Sequence, residues 1–229
     1  MTHRLNGISS MATRQNLADL AAVYEQRAGV QVAVRSMGGV EAARLLRAGE
    51  PADIFVLAGN VMEQLESEGH IASGTRMGFA RSSIAMAVRS GTQRPNVDDE
   101  EAVKQAILQA DKICYSTGPS GDHLMRLLER WGMSQSAAQR ALQAPPGVPV
   151  GTMLARGEAD LGFQQLSELL HVPGIEIVGS LPPEIQAETI FTAGVSTMSS
   201  HPEEAHALVA YLTSPEADAV KRQYGMEPA

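Results

Sequence analysis

Short apolar runs alternate with apolar residues at helical spacing through the first part of the chain. Leu5 to Ile8 reads as a strand. Leu17, Leu20, Ala21 and Tyr24 then fall at i, i+3, i+4 and i+7, the stripe of an amphipathic helix. Gly29 ends that helix and Val30 to Val34 read as a second strand. A helix from about Val40 to Ala48 is stopped by Gly49; the buried-type strand Asp53 to Val56 and a helix near Val61 to Glu68 follow. This βαβαβα order predicts parallel strands with helices on both faces.

The pattern continues with a strand at Ile84 to Val88 and a loop at Gly91 to Pro95. Asp98-Asp99-Glu100-Glu101 reads as a solvated helix start suited to the N-terminal dipole. Lys112 to Tyr115 is a short strand, and Leu124, Leu127, Leu128 and Trp131 form a second helical stripe. A Pro/Gly-rich stretch, Ala144 to Gly151, precedes a helix and the strand Asp160 to Phe163. Strands at Ile175 to Val178 and Thr189 to Ala193 lead to closing helices at about Pro202 to Leu212 and Pro215 to Gln223. Ser214-Pro215 is a cap followed by a first-turn proline. No internal repeat and no low-complexity tail is evident.

Composition narrows the partners. The 229 residues are 44% hydrophobic and 19% charged, with a formal net charge of −8. Lysine occurs only at 104, 112 and 221, so no basic face is available for nucleic acid or an acidic membrane. A small anion remains a candidate, because a pocket answers to local donors rather than net charge. Cys114 is the only cysteine, which rules out an intrachain disulfide and a cysteine-rich metal site and permits either redox compartment. No run approaches the roughly 20 apolar residues that span a bilayer. Met1-Thr2-His3-Arg4 runs into Leu5 with no apolar signal core, so an export signal has been removed or the protein stays inside the cell.

Three strand-to-helix turns carry the candidate chemistry: Ser9-Ser10-Met11, Met37-Gly38-Gly39, and Ser116-Thr117-Gly118-Pro119-Ser120-Gly121. Each offers free backbone N–H groups at the positive end of a helix dipole, an arrangement that binds anions without lysine or arginine. In open α/β sheets such turns gather at the carboxyl ends of strands. Serine and glycine also cap helices for structural reasons, so it is the three together that point to an anion.

Leu17 to Val30, the segment Ala48-Gly49-Glu50-Pro51-Ala52-Asp53-Ile54-Phe55, the segment Gly157 to Phe163, and the ending Ala210 to Ala217 with Tyr224-Gly225 resemble molybdate-type periplasmic solute-binding proteins. The resemblance covers nearly the whole chain. It implies an α/β fold of the type II periplasmic binding class, with two Rossmann-like lobes flanking a ligand cleft. Residues 1–79 plus 194–229 would form the first lobe and 80–193 the second, with hinges near Ala80 and Ala193. Carried over by position, the first binding serine falls at Ser9 or Ser10. The second falls at Gly38 or Gly39, where its hydroxyl is absent. The second-lobe amides fall at Ser120-Gly121 and Gly147-Val148, and a ligand-reaching tyrosine is replaced by Gln164 or Gln165. Glycine in place of the serine makes room for something bulkier than a tetrahedral oxyanion, and the loss of the second serine and the tyrosine suggests a small organic carboxylate, or another oxyanion, over molybdate.

Other residues are weighed against blander roles. Arg81, followed by Ser82, lies near the first crossover and could fork onto a carboxylate, against the usual exposed ion pair. Arg14 could face the same cleft or solvent. His123 lies close enough to the Ser120-Gly121 turn to move a proton, yet no second group stands at dyad or metal spacing. Cys114 and Tyr115 read as core, and Met11 and Met37 as core or cleft lining.

The expectation is a monomeric binder of a small anion that delivers it to an ABC transporter permease, periplasmic if exported and otherwise cytoplasmic. No catalytic residue, cofactor or metal is assigned, and neither nucleic acid nor membrane insertion is expected. The runner-up is an isomerase of a small di- or tricarboxylic acid on the same scaffold, for which His123 or an unplaced carboxylate would be the base. A third reading is an intracellular ligand sensor.

Overall fold

In a computed structural model the structure describes residues 4–229. Met1, Thr2 and His3, part of the stretch read as lacking an apolar signal core, lie outside the described residues. In chain order the elements are β1 (Arg4–Ser10), a 3-10 turn (Met11–Thr13), α1 (Arg14–Ala28), β2 (Gln31–Met37), α2 (Gly39–Arg47), β3 (Ile54–Ala58), α3 (Gly59–Ser67) and β4 (Met77–Ser82). Next come β5 (Ile84–Arg89), α4 (Glu100–Gln109), β6 (Ile113–Tyr115), α5 (Pro119–Arg130), α6 (Ser134–Ala138), β7 (Ala141–Gln143), α7 (Val150–Ala155) and β8 (Leu161–Gln165). The chain closes with α8 (Leu166–Leu169), β9 (Ile175–Ser180), β10 (Thr189–Val195), α9 (Pro202–Leu212), a second 3-10 turn (Pro215–Ala217), α10 (Asp218–Gln223) and β11 (Glu227–Pro228).

Contacts divide the chain into two compact units, Met1–Ser82 with Ile190–Ala229, and Ser83–Thr189. The first holds a six-stranded sheet in the order β11-β4-β10-β3-β1-β2. β1, β2 and β3 run parallel, as their alternation with helices predicts, while β10 runs antiparallel to β3. β3 is buried at every residue because both its faces are covered, which is why it reads as an unbroken apolar run. One face packs Leu17, Leu20 and Tyr24 of α1 with Leu208 and Leu212 of α9. The other packs Phe55 and Leu57 against Leu46 of α2 and Met62 and Leu65 of α3. Burying each such side chain contributes about 1.5–3 kcal/mol before the entropy of ordering it.

The Ala48-to-Phe55 segment is built around Asp53. Gly49 takes φ 78°, ending α2 with its N–H on Leu46 O. Asp53 is buried, and its carboxylate accepts from Asn6 N at 2.8 Å and from the Ser199 hydroxyl at 2.6 Å. It thereby joins the start of β3 to β1 and to the turn after β10.

The second unit holds a five-stranded sheet, β7-β6-β8-β5-β9, in which β6 is parallel to β7 and β8. Its core gathers Val103 and Ile107 of α4 with Leu124, Leu127 and Leu128 of α5, the second predicted stripe. Asp99 caps α4 by accepting from Ala102 N at 2.8 Å. Glu100 departs from the expected solvated run: it accepts from Trp131 Nε1 and from Arg130. The Trp131 hydrogen bond, followed by Lys104 and Arg130, holds its carboxyl below the usual range.

Candidate functional site

In the first unit, β1 and β2 pair with Ser9 opposite Ser36 and Ser10 opposite Met37, so the two predicted turns leave the sheet side by side. Adjacent residues of a strand face opposite ways, and the two serines differ accordingly. Ser9 is fully buried, with its Oγ 2.8 Å from Ser36 Oγ, and it also donates to Ser10 O at 3.3 Å. Ser10 is half-buried and caps the 3-10 turn, its Oγ accepting from Ala12 N at 3.4 Å. Among the described residues the Ser10 hydroxyl hydrogen has no acceptor. Met11 opens that turn and is half-buried. Ser36, half-buried beside Ser9, was not singled out by the sequence. Its place opposite Ser9 depends on register, which a lone serine in a strand does not reveal.

Gly38 is the N-cap of α2 at φ −60°, ψ 140°, and Gly39 is its first residue. A Cβ at either position would meet nothing within 4 Å. Neither positive φ nor crowding requires glycine here. The first N–H groups of α2, which have no acceptor within the helix, therefore start from open backbone with no side-chain cap.

Other first-unit candidates stand apart from this cluster. Arg81 is exposed on β4, in register with Glu227 of β11, and Ser82 is buried at the end of β4. In the sheet order β10 and β3 separate β4 from β1. Arg14 is exposed on the first turn of α1 and lines a groove with Ala21, Glu25 and Val34.

In the second unit, the β6–α5 turn is tightly closed. Ser116 Oγ lies 2.8 Å from Ser120 Oγ and accepts from Gly118 N at 3.3 Å. A Cβ on Gly121 would stand 1.9 Å from Ser116 O, so only glycine lets α5 approach the turn. The Gly121 N–H donates to Gly118 O at 2.9 Å. Thr117 is exposed and Ser120 buried.

Gly147, at φ 79°, sits in a turn closed by Val148 N donating to Pro145 O at 2.9 Å. The two glutamines have separate fates. Gln164 Oε1 accepts from Val150 N at 2.9 Å, capping α7, and its Nε2 donates to Glu168 at 2.8 Å. Gln165 Nε2 donates to Thr189 Oγ1 at 2.7 Å, while its Oε1 is buried with no partner. Because β6, β7 and β8 are parallel, the β6–α5 turn, the loop after β7 and Gln165 share one edge of this sheet.

His123 is half-buried with Nε2 2.7 Å from Ile185 O. A carbonyl only accepts, so Nε2 carries a proton, and of the two neutral tautomers the one compatible with this bond has its lone pair on Nδ1. Cys114 is buried and its thiol is pushed up to about 12, chiefly by desolvation, then by Glu158 and Asp160. Tyr115 is half-buried against the second core. Among the described residues no group of three His, Cys, Asp or Glu could hold a metal, and no helix is long and apolar enough to cross a membrane.

Comparison with known proteins follows the same outline. An aconitate isomerase from Pseudomonas sp is 38% identical over 231 residues, covering 98% of this chain and 87% of that protein. The molybdate-binding protein ModA of Azotobacter vinelandii is 26% identical over 219 residues, covering 91% of this chain and 84% of that protein. A solved periplasmic molybdate-binding protein from Azotobacter vinelandii superposes with a TM-score of 0.80 at 21% identity, covering 97% of this chain and 98% of that one. Such structural neighbours assign the mixed α/β chain with two sheets to the type II periplasmic binding fold. The pattern of the bacterial extracellular solute-binding protein family matches residues 5–227, and the chain belongs to that family.

Proposed function

We propose that this chain binds a small organic polycarboxylate outside the cytoplasmic membrane, through the strand-end donor clusters, and hands it to an ABC transporter permease. The observation that carries the reading is the open start of α2. Gly38 and Gly39 leave unobstructed backbone beside the Ser9–Ser36 pair. A tetrahedral oxyanion held by two serines has no use for that space, whereas a carbon skeleton with several carboxylates fills it. Helix-start amides and hydroxyls supply charge-assisted hydrogen bonds without a buried cation. Within the second unit, Gln165 keeps an unpartnered Oε1, whereas Gln164 is spent on α7 and Glu168.

A second reading is favoured by the 38% identity to an aconitate isomerase: the bound polycarboxylate is also turned over. Such a reaction moves a proton from a methylene carbon to a carbon of the neighbouring double bond, which shifts along the skeleton, with no net oxidation. His123 Nδ1 is the candidate base on this chain.

A thermal-shift panel of molybdate, tungstate, sulfate, phosphate, succinate, propane-1,2,3-tricarboxylate and trans-aconitate tests both readings. Saturation at about 100 times Kd adds roughly 2.7 kcal/mol, a readily seen shift. Stabilisation by the carboxylates alone supports the reading; stabilisation by molybdate and tungstate alone overturns it. Incubation with trans-aconitate in deuterated water then separates the two roles. Deuterium in the recovered acid and a second isomer mark turnover, and unchanged acid marks a binder.

A further inference from the structure

We propose that the open edge of β2 is an interface on which a second copy of this chain docks, edge to edge about a two-fold axis through Val34. The inference does not depend on which ligand the chain binds, and it sets a dimer in place of the monomer expected from the sequence.

β2 ends the six-stranded sheet: it pairs with β1 along its whole length, and among the described residues no strand lies on its other side. Gln31–Met37 carries no proline, glycine or bulge of the kind that blunts an edge. Its one charged side chain, Arg35, is drawn aside to Glu50 at 2.6 Å. The outer strand β9 of the second unit is closed by contrast, because Arg94 donates to Ile177 O and Val178 O. On the open side of β2 the N–H of Val32 donates to Glu25 Oε1 at 2.6 Å. Backbone groups point alternately to the two sides of a strand, so those of Val34 and Ser36 face outward with that of Val32.

The occupant follows from the charge of the groove beside this edge. Arg14, Ala18, Ala22 and Glu25 share one stripe of α1 and line the groove with Val32 and Val34. Arg14, at one end, is exposed and has no ion pair among the described residues; Glu25, at the other, is half-buried. Because β1 and β2 are parallel, α1 runs back against β2. A two-fold axis therefore sets Arg14 of each copy beside Glu25 of the other, the self-complementary pairing of an isologous interface. The heights agree. The midpoint between Arg14 and Glu25 lies roughly 8 Å along α1 from Glu25, and Val34 lies roughly 6.6 Å along β2 from Val32, which Glu25 touches. Ala18 and Ala22 are small and exposed, so the two α1 helices can approach across the axis. Val34 then exchanges N–H···O bonds with its counterpart and Val32 with Ser36 of the second copy, which frees Glu25 for the arginine.

Sedimentation velocity over a concentration series tests the interface with the wild type, Arg14→Glu, Ala18→Gln and the double variant Arg14→Glu/Glu25→Arg. The wild type should shift from monomer to dimer as its concentration rises. Arg14→Glu sets like charges together at two places and should weaken the dimer about tenfold. The double variant restores opposite charges and should recover most of that loss, whereas Ala18→Gln should hold the helices apart. Arg14 and Ala18 are exposed, so both single variants should melt with the wild type, which separates lost association from lost folding. A wild type that stays monomeric at every concentration overturns the dimer and leaves the edge to a segment of another protein. A dimer indifferent to Arg14→Glu and Ala18→Gln overturns this interface and places the contact elsewhere. A double variant as weak as Arg14→Glu overturns the pairing of Arg14 with Glu25.

Discussion

The backbone N–H of Val150 donates to the side-chain oxygen of Gln164 at 2.9 Å, so the end of β8 caps the start of α7. The bond is buried and spans a separation of fourteen residues. It ties the loop carrying Gly147 and Val148 to the central part of the second sheet. Gln164→Leu leaves a buried N–H unpaired and should destabilise the protein by about 1–3 kcal/mol in urea unfolding. Gln165→Leu, which removes an unpartnered oxygen along with one hydrogen bond, should cost less.

Gly121 is fixed by contact rather than by backbone angle. Alanine would set a Cβ 1.9 Å from Ser116 O, and backbone on both sides leaves no flexible group to yield. Gly121→Ala should therefore destabilise by about 3 kcal/mol or more, seen as a fall in the urea midpoint, and should shift α5 away from the Ser116–Ser120 pair.

Asp53 serves the fold. Asp53→Ala leaves the Asn6 N–H and the Ser199 hydroxyl without their acceptor and should cost about 3 kcal/mol. Asp53→Asn keeps one oxygen for Asn6, and the Ser199 hydroxyl can turn to accept from the amide. Its cost should be about 1 kcal/mol, measured in the same unfolding series.

Cys114 is a neutral core thiol. Burial raises its pKa from the ordinary 9.0 to about 12, so its contribution to stability is complete below about pH 9 and lost as pH rises toward about 12. The stability difference between the wild type and Cys114→Ala should shrink across that interval. At pH 8 the native thiol should react with maleimide far more slowly than the urea-unfolded chain.

How far the sequence disclosed this arrangement depended on burial. Ile54 to Ala58 announced a central strand because both faces are covered, and Leu124, Leu127 and Leu128 kept helical spacing because α5 buries one face. β4 escaped notice: in Met77–Ser82 only Phe79, Ala80 and Ser82 are buried, and its partner β11 is two residues long. β7, α6 and α8 were too short to show a period. The strand-end turns were legible from their Ser and Gly content. The choices between Ser9 and Ser10, and between Gln164 and Gln165, were not, because neighbouring strand residues face opposite ways and only the neighbours distinguish them. Ser36 was invisible for a related reason: it is one polar residue in a strand, and what makes it notable is its partner across the sheet.

The central claim is that this family member recognises several carboxylates rather than a tetrahedral oxyanion. Isothermal titration of the wild type with propane-1,2,3-tricarboxylate and, separately, with molybdate tests it most directly. The account predicts saturable one-to-one binding of the tricarboxylate and no heat of binding with molybdate. Saturable binding of molybdate with none of the tricarboxylate would contradict it, and would mean that the open backbone at Gly38 and Gly39 still closes on a single oxyanion.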